Sequence, residues 1–165
     1  MSSLAQAVDV KAPVARVYER WTRFEDFPRF MAGVRAVHQR DGRHLDWEVA
    51  IGGREKTWEA RIDEQIPQKR IAWHSVRGAR NAGCVTFHRL SDDTSRIMVQ
   101  MAYEPEGVLE RVGDLLGMAR LRVRDDLDRF KRFVENESAG DGAVELASEG
   151  SFPASDAPPW SPGTV

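Results

Sequence analysis

Large flat side chains carry most of the chemical information in this sequence. Trp47, Trp58 and Trp73 fall in three separate stretches of alternating apolar and polar residues, and Phe87, Met101 and Tyr103 continue the same phase further on. A face built this way suits a planar or polyaromatic molecule, which would stack on the rings and accept one hydrogen bond from an indole N–H. The competing reading is that the aromatics fill a one-layer sheet packed against a helix.

Polar residues in that phase discriminate better, because burying them is costly unless something satisfies them. Ser75 and Arg77 follow Trp73 in two-residue steps, and Arg89 follows Phe87. In hairpin register Arg89 would stand opposite Trp73, where a guanidinium could bind a carboxylate, a quinone oxygen or an enolate. Arg77 lies next to a turn and Arg89 near a strand end, so a solvated arginine is the alternative for each. Tyr103 offers an acid or hydrogen-bond donor, but Ser75 is too weak a base to work alone, and no catalytic residue is assigned.

Other chemistries find little support. His74 and His88 have the opposite phase and would face each other on the outer side of a sheet, without a third metal ligand. His38 and His44 flank a turn around Asp41-Gly42, and Cys84 has the outward phase with no partner histidine motif. Asp46, Glu48 and Glu59 also point outward, which removes them as an acid-base pair. The chain has no phosphate-binding glycine loop, dinucleotide fingerprint, HExxH or GxSxG motif, so neither a metal nor a cofactor is expected. A net charge of -2 over 165 residues speaks against a dedicated nucleic-acid partner. No export signal or membrane span is indicated, which makes the cytoplasm the expected location.

Several elements must position the aromatic face. The stretch "LAQAVDV" reads as a first strand, and "APVARVYERWT" as a short amphipathic helix opened by Pro13. Pro28 then prevents one continuous helix through "FEDFPRFMAGV", so the chain turns and restarts. From Val34 to Tyr103 the period is two, with turns at Gly52-Gly53, "RGARNAG" and "DDT", which describes an antiparallel meander with one apolar face. Val108, Val112, Leu115, Leu116, Ala119, Val123, Leu127, Phe130 and Val134 then recur at helical spacing, ending in "DDLDRFKRFVE" with a charged outer face. One long helix must lie across the apolar face, giving an α+β fold.

Composition changes near residue 137. From Ser138 to Val165, 18 of 28 residues are Gly, Pro, Ser or Ala. The five charges from Glu137 onward are all acidic, and the rest of the chain carries 21 acidic residues against 24 basic ones. The expected organisation is a folded domain over 1–136 and a disordered acidic tail over 137–165.

The order of elements, with "VYERWTRFEDFPRFMAGV", "IGG" between strands, "EQIPQKRIAWHS" and "DDLDRFKRFVE", resembles the polyketide cyclase/dehydrase branch of the START and birch-pollen-allergen (SRPBCC) superfamily. It is also similar to coenzyme-Q-binding START-type proteins. The resemblance covers roughly residues 4–136 and implies a helix-grip fold: a curved antiparallel sheet around a long C-terminal helix, with two short helices after the first strand and a cavity between sheet and helix. On that fold Phe24, Phe27, Phe30 and Met31 would close one end of the cavity as a lid, or plug it as ordinary core. Trp47, Trp58, Trp73, Ser75, Phe87, Arg89, Met101 and Tyr103 would form the ligand-binding surface.

Three functions fit this expectation. The first is binding of a hydrophobic small molecule such as a lipid, quinone or polyketide. The second is an aromatase/cyclase acting on a polyketide intermediate, where positioning supplies much of the catalysis. The third is a helper protein with a vestigial cavity. The scaffold alone does not choose among them, and the oligomeric state is left open.

Overall fold

The computed structural model describes residues 2–51, 53–103 and 113–150. Seven antiparallel strands form one sheet in the order β1-β7-β6-β5-β4-β3-β2. They are β1 (Ser2–Val10), β2 (Val34–Gln39), β3 (His44–Ile51), β4 (Arg54–Ile66), β5 (Arg70–Gly78), β6 (Asn81–Arg89) and β7 (Ser95–Tyr103). Strands β2 to β7 follow one another as a meander, and β1 pairs with β7 at the far edge. Between β1 and β2 the chain forms α1 (Val14–Trp21) and a 3-10 helix (Phe24–Arg29), and α2 (Gly113–Gly150) follows the sheet. This is the curled sheet and long terminal helix of a helix-grip fold. Among the described residues no helix is long and apolar enough to cross a membrane.

Contacts divide the chain at Arg132 into two units. The first holds the whole sheet, the short helices and the opening turns of α2. In the second, α2 continues to Gly150, past the boundary at residue 137 that composition suggested. Val108 and Val112, at the start of the expected helical repeat, lie outside the described residues, as does the end of the acidic segment, 151–165.

The 3-10 helix explains the crowded aromatics around Pro28. With three residues per turn, side chains at i and i+3 eclipse, so Phe24, Phe27 and Phe30 line up along one edge. All three are buried, and consecutive rings meet edge to face at 5.7 and 5.6 Å. An α-helical period would have offset successive rings by about 60°. Trp21, four residues after the buried Val17 on α1, closes against the same cluster, 5.3 Å from Phe27.

Two bulges, between Glu59 and Ala60 and between Ile62 and Glu64, interrupt the β4–β5 pairing. An extra residue at such points bends a strand and increases its twist, which lets the long β4 curl. The outer face carries ion pairs: Arg40 with Asp46 at 3.0 Å and with Glu59, Arg70 with Glu64 at 2.6 Å, and His74 with Asp63 at 2.7 Å. Exposed pairs of this kind are screened by solvent and contribute little to stability. Asp46 and Glu59 are therefore on the outside, as their phase predicts. The two histidines do not face each other, however: His74 pairs with Ala82, and His88 with Arg96.

The connection after β5 is shorter than the sequence predicts. Instead of a turn spread over 77–83, only Ala79 and Arg80 lie between β5 and β6. Asn81 and Gly83, which read as turn formers, are strand residues with specific partners. The Asn81 backbone N–H donates to Ser75 Oγ at 3.0 Å and its side-chain amide to Ala79 O at 3.1 Å. At Gly83 a Cβ would lie 2.8 Å from Trp73 Cζ2 and 2.5 Å from Gln100 O. Only glycine leaves room there for the indole to approach the strand.

Candidate ligand-binding site

The inner face of the sheet, the 3-10 helix and the first part of α2 enclose a cavity of about 190 Å³. Trp47, Trp58, Trp73 and Met101 line it from the sheet, and Phe24, Phe27 and Met31 from the segment around Pro28. Trp47 and Trp58, opposite each other on β3 and β4, stack at 5.5 Å with their planes 14° apart. Their paired indoles make a broad flat wall. Trp73 is fixed differently: its Nε1–H donates to Asn81 Oδ1 at 3.2 Å while its ring lies over Gly83.

Six residues singled out in the sequence do not line the cavity, among them the exposed Arg77 near the end of β5. Phe87 is buried behind it, 5.2 Å from Tyr18 and 6.4 Å from Trp21. Phe30 turns instead to Phe130 of α2, at 5.0 Å. Ser75 supports the wall indirectly, through its hydrogen bond from Asn81. Tyr103 is half-buried on β7 opposite Asn81. Arg89 is the clearest correction, because its side chain is 61% exposed and pairs with Asp92. Register is the reason: Trp73 stands opposite Gly83 and Arg70 opposite Thr86, so Arg89 lies three residues beyond the end of β5.

Lining residues that the sequence did not mark as such include Trp21, Asn81, Arg122 and Asp126. The last two belong to "RVRDDLDRF", whose charges read as a solvated helix face. Asp126 is 8% exposed, and its Oδ1 accepts hydrogen bonds from the Ala32 backbone N–H at 3.2 Å and from the Arg129 guanidinium. Arg129 also donates through Nε to Phe30 O at 2.9 Å. These bonds tie the end of the 3-10 helix to α2, so the closing segment is anchored by backbone groups as well as by its rings.

Burial pushes the Asp126 carboxyl above the usual carboxylate range, against the hydrogen bonds from Arg129 and Ala32 and the charges of Arg129 and Arg122. The unfolded chain, with an ordinary aspartate value of 3.8, ionises first as pH rises. The folded state then holds more protons, and stability falls with increasing pH through that window. Asp126→Asn removes the effect while keeping an oxygen acceptor. Urea denaturation of both proteins between about pH 4 and about pH 7 should show the variant gaining stability relative to the natural protein as pH rises. A gap that moves the other way would mean that the arginines outweigh burial.

A second polar feature belongs to the wall itself. Trp58 Nε1 is buried and has no hydrogen-bond partner among the described residues. An unsatisfied buried donor costs about 1–3 kcal/mol, which an acceptor oxygen brought beside it would recover.

A curled antiparallel sheet closed by a long terminal helix, with an aromatic-walled cavity between them, defines the helix-grip class of folds. The profile of one family with this architecture, described as polyketide cyclase / dehydrase and lipid transport, matches residues 10–132. The chain belongs to that family. It is 43% identical over 143 residues to an uncharacterised 17.2 kDa protein encoded in the melC2-rnhH intergenic region of Streptomyces lincolnensis, covering 86% of this chain and 95% of that one. A crystal structure of a Deinococcus radiodurans protein superposes with a TM-score of 0.65 at 27% identity, covering 82% of this chain and 99% of that one. The di-domain aromatase/cyclase StfQ of the steffimycin biosynthetic pathway superposes with a TM-score of 0.64 at 23% identity, over 82% of this chain and 46% of StfQ. The StfQ likeness concerns the fold.

Proposed function

We propose that this protein binds a small, largely apolar ring compound in the cavity between sheet and α2. The observation that carries this reading is the wall of Trp47, Trp58 and Trp73 along a partly open cavity of about 190 Å³. An apolar cavity of about 150 Å³ takes up one benzene ring, so this one suits a substituted single ring or a compact bicyclic system. A long acyl chain would have to run out through its mouth, which favours ring compounds over lipids among the ligands the family description allows. At ligand efficiencies between those of the smallest ligands and those of drug-sized ones, about ten to twelve heavy atoms correspond to affinities on the order of micromolar. The cytoplasmic location expected from the sequence is part of the same proposal.

A second reading, turnover of a polyketide-derived substrate, is favoured by Asp126. A buried carboxyl with a raised pKa beside an apolar cavity has the properties of a general acid or base. Native mass spectrometry of the purified protein, followed by organic extraction, tests the binding proposal. A stoichiometric ring compound recovered unchanged after incubation supports binding, and a compound converted by the natural protein but not by Asp126→Asn supports turnover. Failure to recover or bind any compound of this size would sink both.

A further inference from the structure

Arg122 is the lining residue whose position the binding proposal leaves unexplained. It sits on α2, half-buried, with its side chain at the cavity wall. Its guanidinium packs over Gly33 so closely that a Cβ at residue 33 would collide with Nη1. Gly33 is itself held, since its carbonyl accepts a hydrogen bond from the Ala50 N–H at 2.7 Å. The guanidinium is thus seated against a fixed piece of backbone at the cavity edge.

Arg122 acts on the Asp126 carboxyl through its charge, whereas the hydrogen bonds to that carboxyl come from Arg129 and the Ala32 N–H. Arg122 and Arg129 with Asp126 leave one positive charge in excess when the carboxyl is ionised. A guanidinium presents five donors in a planar fork that matches a carboxylate, and drawing it toward an apolar cavity without a partner is costly. Arg129 secures the fold of this corner, and Arg122 remains to meet what enters the cavity.

We propose that the ligand is an aromatic carboxylate of one or two rings, its rings against Trp47, Trp58 and Trp73 and its carboxylate received by Arg122. This rests on the cavity-binding reading above and adds the charge of the ligand to it. The same argument makes Gly33 a positioning residue, since any larger side chain there displaces the guanidinium.

The test compares 2-naphthoate with its uncharged counterpart 2-naphthamide, titrated into the purified full-length protein and followed by tryptophan fluorescence. The natural protein should bind 2-naphthoate at least about tenfold more tightly than 2-naphthamide, as a charge-assisted pair implies. Arg122→Gln should abolish that preference, and an unchanged cooperative melting transition of the variant shows that it is folded. Arg122→Lys should keep part of the preference, and Gly33→Ala should lose most of it. Equal affinity for the two compounds in the natural protein, or a preference that survives Arg122→Gln, would overturn the carboxylate assignment and leave the cavity reading standing. Binding of neither compound would overturn both.

Discussion

Replacing Phe27 by alanine should destabilise the protein by about 3–5 kcal/mol, the range for removing a large buried aromatic side chain. Phe27 is 2% exposed and occupies the middle of the aromatic cluster. Its ring lies 5.3 Å from Trp21, 5.7 Å from Phe24, 5.6 Å from Phe30 and 5.6 Å from Trp47. The surroundings cannot collapse easily into the space left, because the segment is pinned to α2 at Phe30 O and at the Ala32 N–H. For a chain of this size the melting temperature should fall by roughly 10 °C or more. Met31→Ala, at the half-buried end of the same segment, should cost clearly less. A loss below about 1 kcal/mol for Phe27→Ala would show that the rings around Pro28 are loosely held and do not close the cavity.

Gly83→Ala should produce the second large effect, and it reaches both stability and binding. The new Cβ would stand 2.8 Å from Trp73 Cζ2, closer than real Cβ contacts allow, and 3.0 Å from Cη2, which is tight. The indole cannot simply tilt away, because its N–H is bonded to Asn81 and Asn81 is bonded to Ala79. Overpacking of this kind costs about 1–3 kcal/mol. The ring should be driven into the cavity, lowering the affinity for 2-naphthamide at least about tenfold, a loss of about 1.4 kcal/mol. Urea denaturation and fluorescence titration of the same sample read the two effects separately. A destabilised variant with unchanged affinity would remove Trp73 from the ligand-facing wall.

These two positions also mark the limits of what the sequence reveals. Strict two-residue alternation placed Trp47, Trp58 and Trp73 on one face, because that period has no competing helical reading over those stretches. Register was harder. Asn81 and Gly83 have the composition of a turn, yet one satisfies the Trp73 N–H and the other makes room for its ring. Placing the turn a few residues too late brought Arg89 opposite Trp73, whereas it pairs with Asp92 in solvent. Such tertiary reasons for a residue type are invisible to local propensity.

The missed charges follow from a similar ambiguity. Val123, Leu127 and Phe130 form the apolar stripe of α2, and Arg122, Asp126 and Arg129 form a second row displaced by one residue. One residue is about 100° around a helix, so a row beside the stripe lies at the border between core and solvent. Its i, i+4, i+7 spacing was the available signal. Composition alone could not say that the closing segment supplies Phe30 O, the Ala32 N–H and Gly33 to meet it.

The claim that the tryptophan-walled cavity receives a small ring compound is tested most directly on the indoles themselves. The indole N–H resonances of Trp47, Trp58 and Trp73, assigned through single Trp→Phe variants, would be followed by nuclear magnetic resonance while 2-naphthamide is added. All three should move together along one saturating curve, with the largest change at Trp58, whose buried N–H lacks an acceptor among the described residues. Resonances that stay fixed up to millimolar ligand, or that drift linearly without saturation, would contradict it.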